Sequence, residues 1–148
     1  MATESLRVQQ AEEPDIPYIE SLLQQHGLPT ADVRGKLAQF FVGYAGDERV
    51  CVGGLEVRGQ AGLLRSVVVE QSVQGEGFGA ALCDELEATA REEGVEALYL
   101  LTTTAAEFFA ARGYTRVDRE TAPEPIRQTT EFADLCPSTA ICLRKSLV

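Results

Sequence analysis

The sequence predicts a small mixed α/β domain, and two features of the chain support that prediction. Three consecutive valines at 67–69 end an apolar run, which passes through polar and small residues into Gly77 and Gly79. β-Branched residues favour an extended strand, whereas the apolar spacing after the glycines is that of one buried helical face. A second unit of strand, short helix and strand follows over residues 95–117. Strands and helices therefore alternate in the second half of the chain.

The spacing of apolar residues predicts the remaining elements. Residues 15–25 and 31–41 each place apolar side chains on one helical face, the second through Val33, Leu37, Phe40 and Phe41. Three strands joined by tight turns are predicted next, at 41–45, 49–57 and 63–69. The later elements are a helix that ends at Gly94, a strand at 95–101, a helix at 105–112, and strands at 113–117 and 139–144. Antiparallel strands are thus expected to precede the helix that follows the glycines.

Length and composition predict one domain over residues 1–148. The chain has 148 residues with 45% hydrophobic types, and no stretch rich in Pro, Gly or Ser divides it. No apolar run approaches the ~20 residues that span a bilayer, and the N-terminus lacks a basic segment followed by an apolar one. We therefore expect a cytoplasmic protein without a membrane partner. The net charge of −10 and the absence of a Lys/Arg cluster argue against nucleic acid as a partner.

The cysteines do not have the spacing of a metal site or a disulfide framework. Cys51 lies in a predicted strand and Cys83 in a predicted helix, and neither is close in sequence to Cys136 or Cys142. Reduced packing residues are therefore the expectation. With one histidine in the chain, we predict no metal site.

The junction at residues 67–80 predicts a ligand that carries phosphate. Backbone N–H groups at a helix start have no partner within the helix and lie at the positive end of its dipole. A Walker loop is excluded because no Lys follows Gly79, and the dinucleotide fingerprint fails because its third glycine is Ala80. A glycine-rich turn without any ligand remains an alternative for the motif by itself.

Two motifs together resemble the GNAT superfamily of acyl-CoA N-acyltransferases. The first is Gln74-x-x-Gly77-x-Gly79 after an apolar strand, and the second is Phe108-Phe109 followed by Gly113. The resemblance implies the GNAT fold, a mixed and mostly antiparallel sheet of about seven strands with about four helices, splayed between strands 4 and 5. The segments LLRSVVV, YLLTTTAAEFFAARGY and LCPSTAICLRKSL look most like the arsenic resistance N-acetyltransferases.

The resemblance also implies how acetyl-CoA binds. The main chain of Val67 and Val69 would bond the pantetheine arm, and the amides from Gly75 to Ala80 would meet the pyrophosphate. Glu76 departs from the family pattern, which commonly has a basic residue there, and its carboxylate should weaken binding. The complete set of predicted coenzyme residues is Val67, Val68, Val69, Gln74, Gly75, Glu76, Gly77, Phe78, Gly79, Ala80, Thr102 and Phe108.

The family's usual proton-transfer positions lack suitable groups in this chain. A Tyr that serves as acid in many members is replaced by Phe109, and a carboxylate on the strand before the loop is replaced by Leu64. Candidate substitutes are Glu56, Thr102 and Cys136. Each has an alternative role: an exposed strand Glu, a helix-capping Thr, and a Cys in a turn.

The resemblance implies an acetyl-CoA-dependent N-acetyltransferase that acts on a small-molecule amine, with an amino-acid-like toxic compound as a candidate acceptor. The alternative is a catalytically silent CoA-binding module that regulates or pairs with another protein. Arg65 is a candidate for an anionic substrate group, although an outward arginine or a salt bridge at the core edge is the commoner arrangement. Sheet edges allow a homodimer.

Overall fold

The computed structural model describes residues 6–129, 132–133 and 139–148, and it contains seven strands and four α-helices within those residues. The elements in chain order are β1 (Leu6–Gln10), α1 (Ile16–Gln25), β2 (Phe40–Ala45), β3 (Glu48–Arg58), β4 (Ala61–Val69), α2 (Phe78–Glu92), β5 (Ala97–Thr102), α3 (Ala106–Ala111), β6 (Thr115–Val117), α4 (Glu124–Arg127) and β7 (Ile141–Ser146). Short 3₁₀ segments connect several of them.

The strands form one sheet in the order β1-β2-β3-β4-β5-β7-β6. The pairs β1–β2, β2–β3, β5–β7 and β6–β7 are antiparallel, and β4–β5 is parallel. The register between β4 and β5 runs from Ala61 opposite Ala97 to Leu63 opposite Tyr99, while β4 itself continues to Val69. The predicted mixed sheet of about seven strands is confirmed, and the short β4–β5 register agrees with the splay that was predicted there.

The chain divides into two compact units by its contacts. The first unit comprises Met1–Gly54 and Ser66–Leu86. Its core joins the buried face of α1, represented by Ile19, Leu22 and Leu23, to Val52 of β3 and Val68 of β4. A buried carboxylate, Asp15 at the start of α1, accepts a hydrogen bond from Arg49 Nε at 2.9 Å and one from the Tyr44 hydroxyl at 3.3 Å. These polar contacts fix the start of α1 within the unit.

The second unit comprises Leu55–Arg65 and Glu87–Val148. Its core packs the start of β4 and β5 with the C-terminal segment, through residues such as Leu63, Tyr99, Ile126 and Cys142. A buried carboxylate on α2, Glu87, accepts hydrogen bonds from the Tyr114 hydroxyl at 3.0 Å and from Lys145 Nζ at 2.8 Å. The prediction of a single domain over 1–148 stays a prediction, because these units are defined by contacts alone.

One predicted helix is wrong and one strand was not predicted. Residues 31–39 of the predicted helix form turns and a 3₁₀ segment, Arg34–Gln39, in which Lys36 departs from helical geometry (φ −129°, ψ 29°). Phe40 already belongs to β2, since aromatic residues favour strands. β1 pairs with β2 from Leu6 opposite Ala45 to Gln10 opposite Phe41, but its short sequence LRVQQ has too few apolar residues to stand out.

Candidate functional site

The end of β4 passes into α2 through a loop that its own backbone holds in place. The Glu70 N–H donates to the Val50 carbonyl at 2.8 Å, and a 3₁₀ turn, Gln71–Val73, follows. The Gln74 side-chain amide reaches back and donates from Nε2 to the Val69 carbonyl at 3.1 Å. The loop is therefore a folded connection whose ends are tied to β3 and β4.

Two glycines in this loop have a conformation that other residues rarely adopt. Gly75 has φ 87° and Gly77 has φ 88°, both in the left-handed region that glycine occupies without a steric cost. A Cβ added at either position would have no protein heavy atom within 4 Å. The glycines are thus required by backbone conformation, and the space beside them is open to a ligand.

The first turn of α2 presents backbone N–H groups next to that space. The Ala81 N–H donates to the Gly77 carbonyl at 3.0 Å, so the amides of Phe78, Gly79 and Ala80 precede the first hydrogen bond of the helix. Donors in that position suit an anion, and the helix dipole adds about 0.3–1 kcal/mol for a negative charge there. Phe78 is buried at 5% exposure and holds the start of α2 in the core of the unit.

Acidic side chains lie beside this junction. Asp47, in the turn between β2 and β3, and Glu48, the first residue of β3, line a shallow pocket with Glu76 of the loop. Glu76 is exposed, as are Gln74, Gly75 and Gly77. The carboxylates place negative charge near the amides of α2, which opposes the attraction of the helix start for a phosphate.

The valines of β4 have two roles in the strand. Val68 is buried at 5% exposure in the core that contains α1, whereas Val67 and Val69 are half-buried. Side-chain packing is therefore confirmed for Val68. Hydrogen bonding of the Val67 and Val69 main chain to a coenzyme stays a prediction.

Ser66, directly before these valines, has an unusual backbone conformation that the sequence did not predict. Its φ is 56°, the one positive value among the described non-glycine residues, and the residue is buried at 9% exposure. A left-handed conformation costs an L-residue about 1–2 kcal/mol. Strain of this kind persists where the surrounding structure fixes it. The left-handed conformation also changes the direction of the peptide group that follows Ser66.

Glu56 is fully buried, so the expectation of an exposed strand glutamate is wrong. Its side chain is 0% exposed and accepts hydrogen bonds from Arg65 Nη1 at 3.1 Å and from Arg58 Nη2 at 2.9 Å. The Arg65 side chain is 1% exposed, and the Arg58 side chain is 32% exposed. Arg65 is thus a core salt-bridge residue, and removal of one partner from such a pair typically costs about 3–5 kcal/mol.

Thr102, at the end of β5, has the capping role that was one of its two expected roles. Its Oγ1 accepts hydrogen bonds from the Ala105 N–H at 2.9 Å and from the Thr104 N–H at 3.3 Å. These bonds satisfy backbone donors just before α3. The structure does not test a contact between Thr102 and a substrate.

The two aromatic residues of α3 face different surroundings. Phe108 is 39% exposed, whereas Phe109 is 6% exposed and stacks edge-on with Phe108 and Tyr114 at centroid distances of 5.0 and 5.5 Å. Phe108 therefore offers a surface to a ligand, and Phe109 is a packing residue. Leu64, at the family's carboxylate position, is also buried, at 1% exposure.

The third catalytic candidate, Cys136, lies outside the described residues, as does Ser138. The described cysteines, Cys51, Cys83 and Cys142, are free and buried. Burial raises the pKa of the Cys51 thiol to about 12 and that of Cys142 to about 11. Both thiols are therefore protonated at neutral pH and poorly reactive.

Neither a membrane-spanning helix nor a metal-binding cluster is present among the described residues. None of the helices there has both the length and the apolar character needed to cross a bilayer. No group of three or more His, Cys, Asp or Glu side chains in the same part of the chain is arranged to hold a metal ion.

Comparison with known proteins identifies the family. The acetyltransferase (GNAT) domain family matches residues 36–116, which include the loop, α2, β5 and α3. A relative described as an uncharacterised N-acetyltransferase of Chlorobaculum tepidum is 32% identical over 80 residues. That match covers 53% of this chain and 48% of the relative, so the chain matches about half of the relative's length.

Solved structures share the fold at low sequence identity. N-acetylglutamate synthase from Neisseria gonorrhoeae, in complex with coenzyme A and N-acetyl-glutamate, superposes with a TM-score of 0.84 and 22% identity. The similarity covers 97% of this chain and 35% of the synthase. Rv2747 from Mycobacterium tuberculosis, in complex with CoA and NLQ, has a TM-score of 0.79 at 24% identity and covers 96% of this chain and 99% of that one. From the domain match over more than half of its length, together with the fold, we conclude that this chain belongs to the GNAT acetyltransferase family.

Proposed function

We propose that the protein is an acetyl-CoA-dependent N-acetyltransferase whose acceptor is the amine of a small molecule. The observation that carries this proposal is the junction between β4 and α2, where Gly75 and Gly77 leave open space beside the first-turn amides. A diphosphate fits those donors because they are unpaired within the helix and lie at its positive end. The junction also falls within the region that matches the GNAT domain.

Acetyl-CoA, when bound, supplies the activated acetyl group. In the proposal, the amides of Gly75 to Ala80 bind the pyrophosphate, the main chain of Val67 and Val69 binds the pantetheine arm, and Phe108 offers an apolar surface. The Val69 carbonyl already accepts a hydrogen bond from Gln74 Nε2, and its second lone pair is the one proposed to accept a hydrogen bond from the coenzyme. A backbone N–H of the 67–69 segment then polarises the carbonyl that the amine attacks.

The chain has no tyrosine or carboxylate at the family's usual proton-transfer positions, so orientation has to supply much of the rate enhancement. Holding two reactants in the right geometry lowers a barrier by up to ~7–11 kcal/mol. Water is then the proposed acceptor of the proton that the attacking amine loses. As the C–N bond forms, the C–S bond breaks and the coenzyme leaves as its thiolate, which takes a proton from water. On this account, no single side-chain substitution at Glu56, Thr102 or Cys136 abolishes turnover.

For the acceptor, we propose an amino-acid-like amine. The structural neighbour that holds N-acetyl-glutamate together with coenzyme A supports this class. The resemblance of the C-terminal segment to arsenic resistance N-acetyltransferases supports arsenical or phosphinic amino-acid analogues as members of the same class. A cytoplasmic location and a homodimer are further proposals from the sequence, and light scattering in solution tests the dimer.

A second candidate function is a silent CoA-binding module. The burial of Phe109 and Leu64 favours it, since both are apolar packing residues at positions where the family resemblance implies proton-transfer groups. Thiol release from acetyl-CoA with a panel of amino acids, their arsenical and phosphinic analogues and simple amines distinguishes the two. Turnover with one class of amine supports the enzyme, whereas coenzyme binding without turnover on any amine supports the module.

A further inference from the structure

A buried ion pair lies next in the chain to the strained residue of β4. Glu56 and Arg65 have side chains that are 0% and 1% exposed, and a hydrogen bond of 3.1 Å joins them. The residue after Arg65 is Ser66, whose φ of 56° departs from the extended backbone of β4. The next amide along the chain belongs to Val67, the first residue of the segment proposed to bind acetyl-CoA.

The surroundings of Ser66 explain how its conformation is maintained. On one side, Arg65 is fixed by Glu56, which Arg58 holds in turn through a hydrogen bond of 2.9 Å. On the other side, Val68 is fixed by its burial at 5% exposure. A left-handed residue between two anchored neighbours cannot relax to the extended form without breaking one of the anchors.

Glu56 is poorly placed to act as a base. A general base must lie within hydrogen-bonding reach of the proton that it accepts, directly or through one water. The side chain of Glu56 has no exposed surface, and each of its oxygens accepts a hydrogen bond from an arginine. Its carboxylate is therefore directed into the protein and toward β4.

We propose that Glu56 and Arg65 are positioning residues, whose ion pair holds Ser66 in its left-handed conformation and so aims the Val67 N–H. This proposal rests on the proposed acetyl transfer, because the aimed N–H is of use where a thioester carbonyl must be polarised. It replaces the earlier expectation that Glu56 itself takes part in proton transfer.

The test compares Glu56→Gln with a matched control, Glu87→Gln. Glu87 is also a buried carboxylate: it accepts a hydrogen bond from the Tyr114 hydroxyl and forms an ion pair with Lys145. It lies on α2, away from Ser66 in the sequence. Both variants are expected to lower the melting temperature. Only Glu56→Gln is expected to shift the amide resonance of Val67 and the backbone coupling constant of Ser66 in NMR spectra recorded without coenzyme.

Kinetics provide the second measurement. A misdirected N–H is expected to lower kcat about 10- to 100-fold at nearly unchanged KM for acetyl-CoA. The acid limb of the pH profile of kcat is expected to keep its midpoint, because Glu56 takes no part in proton transfer on this account. The double variant Glu56→Leu/Arg65→Met removes both fully buried charges and takes a partner only from Arg58, whose side chain is 32% exposed. It replaces Glu56→Gln in the test if that variant does not fold.

Three results would overturn the positioning role. One is loss of the acid limb in Glu56→Gln, which would make Glu56 a base. Another is an equal loss of kcat in Glu56→Gln and Glu87→Gln, which would show that the loss comes from a general effect on stability. The third is an unchanged Val67 resonance in Glu56→Gln and in the double variant. Because the NMR measurement uses no coenzyme, it decides the proposal even if the wild-type protein acetylates no amine.

Discussion

Glu76 is the residue that most directly opposes the proposed ligand. It is exposed in the loop between Gly75 and Gly77, and it shares a shallow pocket with Asp47 and Glu48. The amides of α2 attract a diphosphate, while these carboxylates repel it, so the observed affinity reflects both contributions. Salt weakens interactions between exposed charges, and the repulsion is therefore strongest at low ionic strength.

We expect Glu76→Lys to tighten CoA binding. Replacing a like charge with an opposite one beside the helix start should change the binding free energy by about 0.3–1 kcal/mol, or roughly two- to fivefold in Kd. Titration calorimetry at low and high salt measures the change, which should shrink as salt rises. Glu92→Lys, at the opposite end of α2, is the control of equal charge change, and its Kd should stay nearly constant. Unchanged or weaker binding in Glu76→Lys would contradict this assignment of the loop.

At the residue scale, the sequence was informative where backbone conformation requires a particular residue type. Of the two glycines that define the motif, Gly77 has positive φ, whereas Gly79 lies in α2 and has none. Gly75, which also has positive φ, is not one of the motif's glycines. Ser66 was not predicted, because serine in a valine-rich strand gives no sign of a left-handed backbone. Burial of Glu56 was also not predicted, since its partner Arg65 is on another strand and pairing between strands is a tertiary property.

At the scale of elements, α3 holds an apolar residue, Phe109, at the position where the resemblance to the family implies a tyrosine. Phe109 is held between the rings of Phe108 and Tyr114, and the Tyr114 hydroxyl is itself bound to Glu87. The helix is six residues long and begins after the backbone donors that Thr102 caps. Its aromatic packing therefore depends on a few contacts.

We expect Phe109→Tyr to leave acetylation undiminished. The substitution adds the hydroxyl that relatives use as an acid, although a hydroxyl buried without a partner would cost about 1–3 kcal/mol of stability. Steady-state kinetics below the melting temperature should give a kcat equal to or above that of the wild type. Phe109→Leu, which removes the ring without adding a polar group, is the control for lost packing. A large fall in kcat at unchanged CoA affinity would contradict the expectation.

Element types were predictable where the apolar pattern was long and unambiguous. The helix after the glycines was predicted from Phe78, Leu82 and Leu86, all of which are buried in α2. A helix was wrongly predicted at 31–41 because Val33 and Phe40 have the spacing of one buried face, and both are buried. The backbone between them is not one helix, because it bends at Lys36 and β2 begins at Phe40. Burial was thus easier to predict than backbone conformation.

At the scale of the whole molecule, buried thiols couple stability to alkaline pH. Burial raises the pKa of Cys51 to about 12 and that of Cys142 to about 11, from an ordinary value near 9. Burial and the nearby Glu70 also raise the pKa of Tyr18 above its ordinary value. Between the unfolded and folded pKa values, the unfolded chain loses protons that the folded chain keeps.

The free energy of unfolding should therefore fall as pH rises from 9 toward 11. The contribution of the thiols is fully present below pH 9, and each thiol contributes a slope of up to about 1.4 kcal/mol per pH unit above it. Urea denaturation at pH 8, 9, 10 and 11 measures the dependence. The double variant Cys51→Ala/Cys142→Ala should show a shallower dependence of the free energy of unfolding on pH, whatever its absolute stability. Tyr18→Phe removes the phenol and so measures the contribution of Tyr18 to the same slope. A slope equal to that of the wild type in the cysteine variant would contradict the role of the thiols.

The central claim is that the junction between β4 and α2 binds the diphosphate of coenzyme A. Hydrogen exchange of the backbone amides, followed with and without CoA, tests this claim most directly. The account predicts that CoA slows exchange at Gly75 to Ala80 and at Val67 and Val69, while amides of β1 and β6 are unaffected. Protection confined to other elements, or no protection at millimolar CoA, would contradict it.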